Sequence, residues 1–303
     1  MDAEDNIMPK RFLSDCGEIR KSEVSDLVLS CKYWRSASCF YVERTPQMRL
    51  RNPFVIIALL PAALIGIFVT ISSNTSSSQN KPTYKATGEE ANLVGTISFA
   101  GVPPKPKQID VSSDPVCEIV NPEAPTEDVV VTDGKLANVV VYARSGDSLS
   151  AYSFEGPSTE VILEHKGCQY VPRVLGMLPQ QTLKILNSDP TTHNTHPTPK
   201  NNREWNQSQP PGAEPIEQRF PLPELFIPIR DNQHPWQKAY VGVFSHPFFS
   251  VSATDGSYKI TGLPAGQYTI VAWHENYGEQ TIDLSLASKE QKTLDFTFKA
   301  PSK

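Results

Sequence analysis

Two stretches decide how this chain is read: Asn187-Ser-Asp189-Pro-Thr-Thr-His193-Asn194-Thr-His196-Pro197, and further along Asp231-Asn-Gln-His234-Pro-Trp236-Gln237-Lys-Ala-Tyr-Val-Gly-Val-Phe244. Each reads as a loop carrying metal donors, the second leading straight into an apolar run. All six histidines, His165, His193, His196, His234, His246 and His274, fall within about a third of the chain. Imidazole chemistry is therefore confined to that part.

Working outward, the 303 residues suffice for one large or two ordinary domains with a normal core, plus a targeting segment. A net charge of −5 and a pI near 5.7 give no broad basic face, so nucleic acid is not expected as a partner. Twenty-seven prolines and sixteen glycines among many Val, Thr, Tyr and Phe residues favour short strands joined by turns. The expected class is all-β.

Toward the N-terminus, Met48-Arg-Leu-Arg51 precedes Pro53–Ile71, nineteen residues without a charge. That length spans a bilayer, and the preceding cations place the C-terminal part on the outer face. A signal anchor and a cleaved signal peptide both fit. The missing Ala-x-Ala and lipobox signals favour the anchor, with residues 48–72 forming one transmembrane helix and the remainder in the cell envelope, on the periplasmic or extracytoplasmic side. Residues 1–47, with Cys16, Cys31 and Cys39, sit oddly before such a signal. Translation from Met48 is the expectation, and a native peptide from residues 11–44 would rule it out. Residues 73–91 read as a tether, polar and Ser/Asn-rich from Asn74 to Lys85.

Beyond it, Leu93–Phe99 alternates with period two and reads as a strand. Val129–Val131 and Leu136–Ala143 flank Thr-Asp-Gly-Lys, a hairpin signal. Cys117 and Cys168 are open to two readings, a disulfide closing a loop of about fifty residues or thiolate metal ligands. Neither has Cys-x-x-Cys or Cys-x-x-His spacing, which favours the disulfide.

From Tyr170 the motifs become specific. Val171–Asn187, then Asp189 and His193-Asn194, resembles the cupredoxin (plastocyanin-like) family, in which a strand ending in Asn-x-Asp leads to the first copper-binding histidine. Arg219–Ile229 followed by Asp231–Val243 resembles that family's penultimate strand, ligand loop and last strand. The likeness covers about ninety residues, 161–251. It implies a cupredoxin-like Greek-key sandwich with His193 and His234 at the two histidine positions. Asp231 stands where the family has cysteine, and Gln237 where it has methionine. Losing the soft thiolate removes what makes a blue copper centre, although Gln is itself an acceptable weak axial donor. Asp favours a colourless Cu(II) or a Zn(II) arrangement. His196 is a further candidate ligand, Trp236 a shield against water, and His246 a packing residue. His165 carries no pattern.

A second resemblance lies in Asp255-Gly-Ser-Tyr-Lys-Ile-Thr-Gly-Leu-Pro-Ala-Gly-Gln-Tyr-Thr-Ile-Val-Ala-Trp273, which is similar to carboxypeptidase regulatory-like (transthyretin-like, starch-binding-like) β-sandwiches. Ser257–Ile260 and Tyr268–Trp273 read as strands, with Thr281–Leu286 and Thr293–Lys299 completing a sheet. Too few strands follow Ser252 for a whole sandwich. The expected architecture is an immunoglobulin/transthyretin-like sandwich split between 92–150 and 252–299, with the cupredoxin-like unit, 161–251, inserted; the alternative is two sandwiches in tandem, with no contacts between Leu93–Phe99 and the strands after Ser257. His274-Glu275 reads as a hydrogen-bonded turn.

No nucleophile elbow, P-loop or dinucleotide fingerprint is present, so an enzyme is not the first expectation. That first reading is a membrane-anchored copper-binding or electron-transfer protein with a redox partner, or a descendant that has lost its metal. The alternative is a structural or carbohydrate-binding module without metal, with Trp205, Tyr258 and Tyr277 as glycan-stacking candidates. A third is an oxidoreductase whose type 2-like copper is held by His193, His196 and His234.

Overall fold

The computed structural model describes residues 81–300. The readings of residues 1–47, of the apolar run 53–71 and of the tether up to residue 80 lie outside them. No helix among the described residues is long and apolar enough to cross a membrane.

The described chain is all-β. Its elements run β1 (Ala91–Ala100), α1 (Pro115–Val120), β2 (Val131–Thr132), β3 (Lys135–Leu136), β4 (Val140–Gly146), α2 (Asp147–Ala151), β5 (Val161–His165), β6 (Tyr170–Val171), β7 (Val174–Met177) and β8 (Leu183–Asn187). Next come β9 (His193–Pro197), β10 (Gln207–Gln209), β11 (Ile216–Gln218), β12 (Glu224–Arg230), β13 (Lys238–Val243) and β14 (Phe249–Val251). The chain closes with β15 (Ser257–Leu263), β16 (Gly266–His274), β17 (Gly278–Leu286), β18 (Gln291–Thr293) and β19 (Phe296–Lys299).

β1 organises one sandwich. Its alternation buries Ala91, Leu93, Ile97 and Phe99 on one face. It pairs antiparallel with β15, Leu93 against Ile260, and parallel with β18 and β19, Phe99 against Phe298. The facing sheet has the order β14-β4-β16-β17. Gly95 is required by close approach: a Cβ there would lie 1.8 Å from the Leu294 carbonyl oxygen. β17 and β18–β19 do not complete one sheet as expected. β17 lies on β16, whereas β18 and β19 cross to β1, where Phe296 and Phe298 reach the core from the opposite side. A strand apolar on one face must meet the core, and either sheet satisfies that requirement.

The Thr-Asp-Gly-Lys signal forms the β2–β3 turn, with positive φ at both Asp133 (49°) and Gly134 (73°). Leu136–Ala143 is not one strand, however. At Asn138 (φ 62°), a residue type that tolerates the left-handed region, the chain leaves one sheet for the other. Ser252 bridges the crossing: its hydroxyl accepts from the Val139 N–H (3.0 Å) and donates to the Leu136 carbonyl (2.9 Å), all buried. Ser252→Ala strands the Val139 donor and is expected to cost about 1–3 kcal/mol, read as a lower urea midpoint at unchanged slope.

Strands β5–β13 build the second sandwich from sheets β11-β8-β5-β6 and β10-β9-β12-β13-β7, whereas β14, expected within the same unit, pairs with β4 of the first sandwich. Leu163, Leu183 and Ile185 of the first sheet pack with Ile227, Ile229, Val241 and Val243 of the second. The two sandwiches meet through the other face of β4. Val140 and Tyr142 pack there with Val174, Phe244 and Val271, and Phe226 stacks on Trp273 at 3.7 Å. Burial on both faces explains why β4 reads as a continuous apolar run. A buried ion pair, Arg173 Nη2 to Glu275 Oε2 at 2.9 Å, joins the same surfaces.

Candidate metal centre

The centre lies at one end of the second sandwich, where three connections converge. Asn187 ends β8 in an Asx turn, accepting from the Asp189 N–H and donating to the carbonyls of Thr191 and Gln209. That turn presents Asp189 and starts β9 at His193. Asn194 ties this strand to the β12–β13 loop, since its N–H donates to Asp231 Oδ2 and its Oδ1 accepts from the Asn232 N–H. Asp231 Oδ1 accepts from the N–H groups of Gln233 (2.7 Å) and His234 (3.0 Å), which curls the loop so that His234 turns inward.

Three donor atoms result, all buried. His193 Nδ1 lies 3.1 Å from His234 Nδ1 and 3.1 Å from Asp231 Oδ2, and His234 Nδ1 lies 2.9 Å from that oxygen. The opposite ring nitrogens are occupied: His193 Nε2 meets Asp189 Oδ2 (2.9 Å) and His234 Nε2 meets Asp114 Oδ2 (2.9 Å). Burial opposes the ionisation of both carboxylates, but the facing histidines and backbone donors prevail. They hold Asp189 below the carboxylate range and Asp114 down to about 2. Two anionic acceptors thus fix both Nε2 atoms as N–H donors. Both Nδ1 lone pairs then face each other and an ionised Asp231, whose pKa is lowered by the same two histidines against its own desolvation. Two lone pairs and an anion about 3 Å apart require a cation between them, a proton or a metal. Donors bound at about 2.0–2.2 Å to one ion stand roughly this far apart, so the residues fit Cu(II) or Zn(II).

Gln237 reaches the same point. Its Nε2 is 3.0 Å from His193 Nδ1 and its Oε1 is 2.9 Å from His165 Nδ1. His165 stacks on His193 at 4.6 Å and 7°, and its Nε2 meets the Thr195 hydroxyl at 3.0 Å. Desolvation pushes His165 down to about 4, so it is neutral. With Gln237 placed this way, its NH2 and not its oxygen faces the centre. Reversing the amide requires only the other His165 tautomer, because Thr195 can donate or accept.

His196 does not join the cluster. His193 and His196 differ by an odd number of positions on one strand, so their side chains leave by opposite faces. His196 Nδ1 meets Asn232 and its Nε2 meets Glu204 (2.6 Å) on the outer side. This placement removes the expected convergence of His193, His196 and His234. Trp236 packs edge-on against His234 at 5.1 Å and donates from Nε1 to the Cys168 carbonyl. His246 packs on Phe248, and His274 accepts from the Asn276 N–H while stacking on Tyr277. Of the glycan-stacking candidates, Tyr258 is buried, while Trp205 and Tyr277 pack against the two cores.

Asp114 and His165 are partners that motif reading missed, and Asp189, though part of the Asn-x-Asp motif, carried no assigned role there. Asp114 caps α1 with one carboxylate oxygen, accepting from the Val116 and Cys117 N–H groups, and reaches His234 with the other. The cysteines form a disulfide, Cys117–Cys168, which pins that helix over the centre.

No family model and no curated protein matches the chain. Among solved structures it is similar to a Cu-containing nitrite reductase (NirK) from Thermus scotoductus SA-01, at 16% identity and a TM-score of 0.27, covering 33% of this chain and 25% of that one. A purple cupredoxin from Nitrosopumilus maritimus aligns over 28% of this chain and 100% of its own, at 18% identity and a TM-score of 0.25. An amicyanin variant in its Cu(I) form aligns over 35% of this chain and 99% of its own, at 15% identity and a TM-score of 0.26. These likenesses span about a third of the chain, and the chemistry of the centre rests on its own geometry.

These titrations set a pH profile for the ion-free chain. Burial works against charging His193 and His234, but Asp189, Asp231 and Asp114 outweigh it, so both imidazoles titrate above their ordinary 6.5. Their contribution to stability is complete below pH 6.5 and is lost as pH rises through the folded values. Desolvation lowers His165 and His274 to about 4, and lowers His246 as well, so their contribution is present above pH 6.5 and lost as pH falls. Thermal unfolding in a chelator is therefore expected to peak near pH 6.5, with a limb of about 1.4 kcal/mol per pH unit for each proton exchanged. A profile still rising at pH 8 would contradict the assignment of His193 and His234.

Proposed function

We propose that this is an extracytoplasmic, membrane-anchored, cupredoxin-like protein that binds one Cu(II) or Zn(II) through His193 Nδ1, His234 Nδ1 and Asp231 Oδ2. The carrying observation is the convergence of those three buried atoms within 2.9–3.1 Å, with both far ring nitrogens committed to carboxylates. The disulfide supports an oxidising compartment, and the apolar run 53–71 supports the anchor. A strand-paired sandwich split in sequence around the 161–251 unit is part of this reading, supported by the pairing of β1 with β15.

A bound Cu(II) would supply a redox-active, Lewis-acidic centre. The chain's own contribution is to hold two imidazoles in one tautomer, keep a carboxylate ionised between them, and exclude water behind Trp236. Without a thiolate the donors favour Cu(II) or Zn(II) over Cu(I), so metal holding or delivery to a partner fits better than rapid electron transfer. Electron paramagnetic resonance during a Cu(II) titration tests this. One equivalent of an axial signal is expected, abolished in His193→Ala and in His234→Ala; an unchanged signal in either variant overturns the assignment.

A second reading, a β-sandwich module without metal, is favoured by one observation. Among the described residues, Trp205 Nε1 and Gln209 Oε1 are the only buried side-chain polar atoms without a hydrogen-bond partner, and neither belongs to the centre. A proton held between the imidazoles and Asp231 closes the network without a metal ion. Absence of bound copper and zinc at one equivalent would select this reading.

A further inference from the structure

The disulfide lies against the centre but takes no part in it. Cys117 and Cys168 are wholly buried, each beside one outer His–Asp pair. Asp114, Cys117 and His234 offer donor atoms that lie within 4.8 Å of one another, and so do Cys168, Asp189 and His193. While the sulfurs are bonded to each other, neither is a thiolate, and each trio is only a His–Asp hydrogen bond beside an inert sulfur. The soft donors absent from position 231 are thus present on the far side of the same imidazoles, locked in oxidised form.

We infer that reducing Cys117–Cys168 creates a second, soft metal site on the Nε2 side of His193 and His234, suited to a d10 ion such as Zn(II) or Cu(I). A dithiol reductant supplies two electrons and two protons and is itself oxidised to a disulfide, while the S–S bond becomes two S–H groups. Each thiol then releases its proton to solvent as its sulfur binds the ion. Two thiolates with imidazole and carboxylate donors alongside form a donor set that zinc sites use. Reduction removes the covalent link between α1 and the β5–β6 turn, and an ion bound by both sulfurs and the imidazoles would re-link those elements to the ligand loops. Ile109 and Trp236, which pack on the disulfide, also line a pocket of about 320 Å³, so these two side chains separate the sulfurs from that pocket.

The inference shares two histidines with the proposed Nδ1 centre but needs neither Asp231 nor the Nδ1 atoms, so each can fail alone. The test uses the full chain with Cys16, Cys31 and Cys39 replaced by serine, oxidised or reduced anaerobically with a phosphine, with free thiols counted by alkylation and mass spectrometry. Cd(II) is the probe, followed by Zn(II) competition. The oxidised chain is expected to show no sulfur-to-cadmium charge-transfer absorbance. The reduced chain is expected to show it saturating at one equivalent, with loss in Cys117→Ser and Cys168→Ser and at least tenfold weaker binding in His234→Ala and Asp114→Ala. If reduction loosens the fold, circular dichroism should recover when Zn(II) is added. Confirmed free thiols without the absorbance, unchanged affinity in the His234 and Asp114 variants, or no recovery by Zn(II) would each overturn the inference and leave the disulfide a structural clamp only. The copper resonance of the oxidised chain reports the Nδ1 centre separately.

Discussion

Replacing Asp231 with cysteine is expected to turn a colourless Cu(II) centre into a coloured one, with visible absorbance roughly tenfold or more above that of the parent protein. The surroundings for a thiolate are already in place. His193 Nδ1 and His234 Nδ1 converge on the 231 side chain, and the Asn194 N–H already points at its Oδ2 (3.1 Å), where it would donate to sulfur. Gln237 stands at the fourth position, and its oxygen can turn inward by the paired amide and His165 tautomer change. Colour should be absent from Asp231→Cys combined with His193→Ala. A colourless Asp231→Cys protein that still binds one Cu(II) would show that the two imidazoles do not share an ion with position 231.

Asp231→Ala is expected to destabilise the protein by about 3–5 kcal/mol, the cost of removing one partner of a buried ionic network. Asp231 is 1% exposed and accepts from three backbone N–H groups, those of Asn194, Gln233 and His234, besides both imidazoles. Truncation therefore strands backbone donors and leaves the imidazoles without their shared counter-charge. For a folded part of this size the change corresponds to a fall in Tm of about 10 °C. Asp231→Asn keeps the Oδ1 contacts but replaces Oδ2, which accepts from the Asn194 N–H and faces both imidazoles, with an NH2 group, so roughly 1–3 kcal/mol is expected. Both measurements belong in a chelator, so that metal affinity does not contribute. Equal losses in the two variants would mean that the Oδ2 side, its charge and its contacts, carries the effect and that the Oδ1 bonds to Gln233 and His234 are incidental.

Asp231 was legible in the sequence, because the loop Asp231-Asn-Gln-His234-Pro-Trp236-Gln237 keeps the spacing of a known ligand loop with altered donors. Local spacing fixes which side chains share a turn, and the period-two pattern of β1 fixes which of its faces is buried. His196 shows where that legibility stops. A separation of three residues is compatible with convergence in a loop, but β9 already begins at His193, and strand geometry sends His196 outward. Asp114 and His165 show the other side, since neither carries a local motif: one lies 120 residues from His234 and the other 30 from Thr195.

The all-β class follows from composition and periodicity, while the choice of His193, Asp231 and His234 as donors, and of position 231 as one where a thiolate would be expected, comes from the resemblance to cupredoxin loops. Tertiary structure decided the rest: that Asp114 and Asp189 lock both imidazoles with their Nδ1 atoms inward, that Gln237 is steered by His165, and that two sulfurs lie bonded to each other beside the centre. These depend on where distant segments come to rest, and burial against a shared core, which no short window of sequence records, is what brings them together.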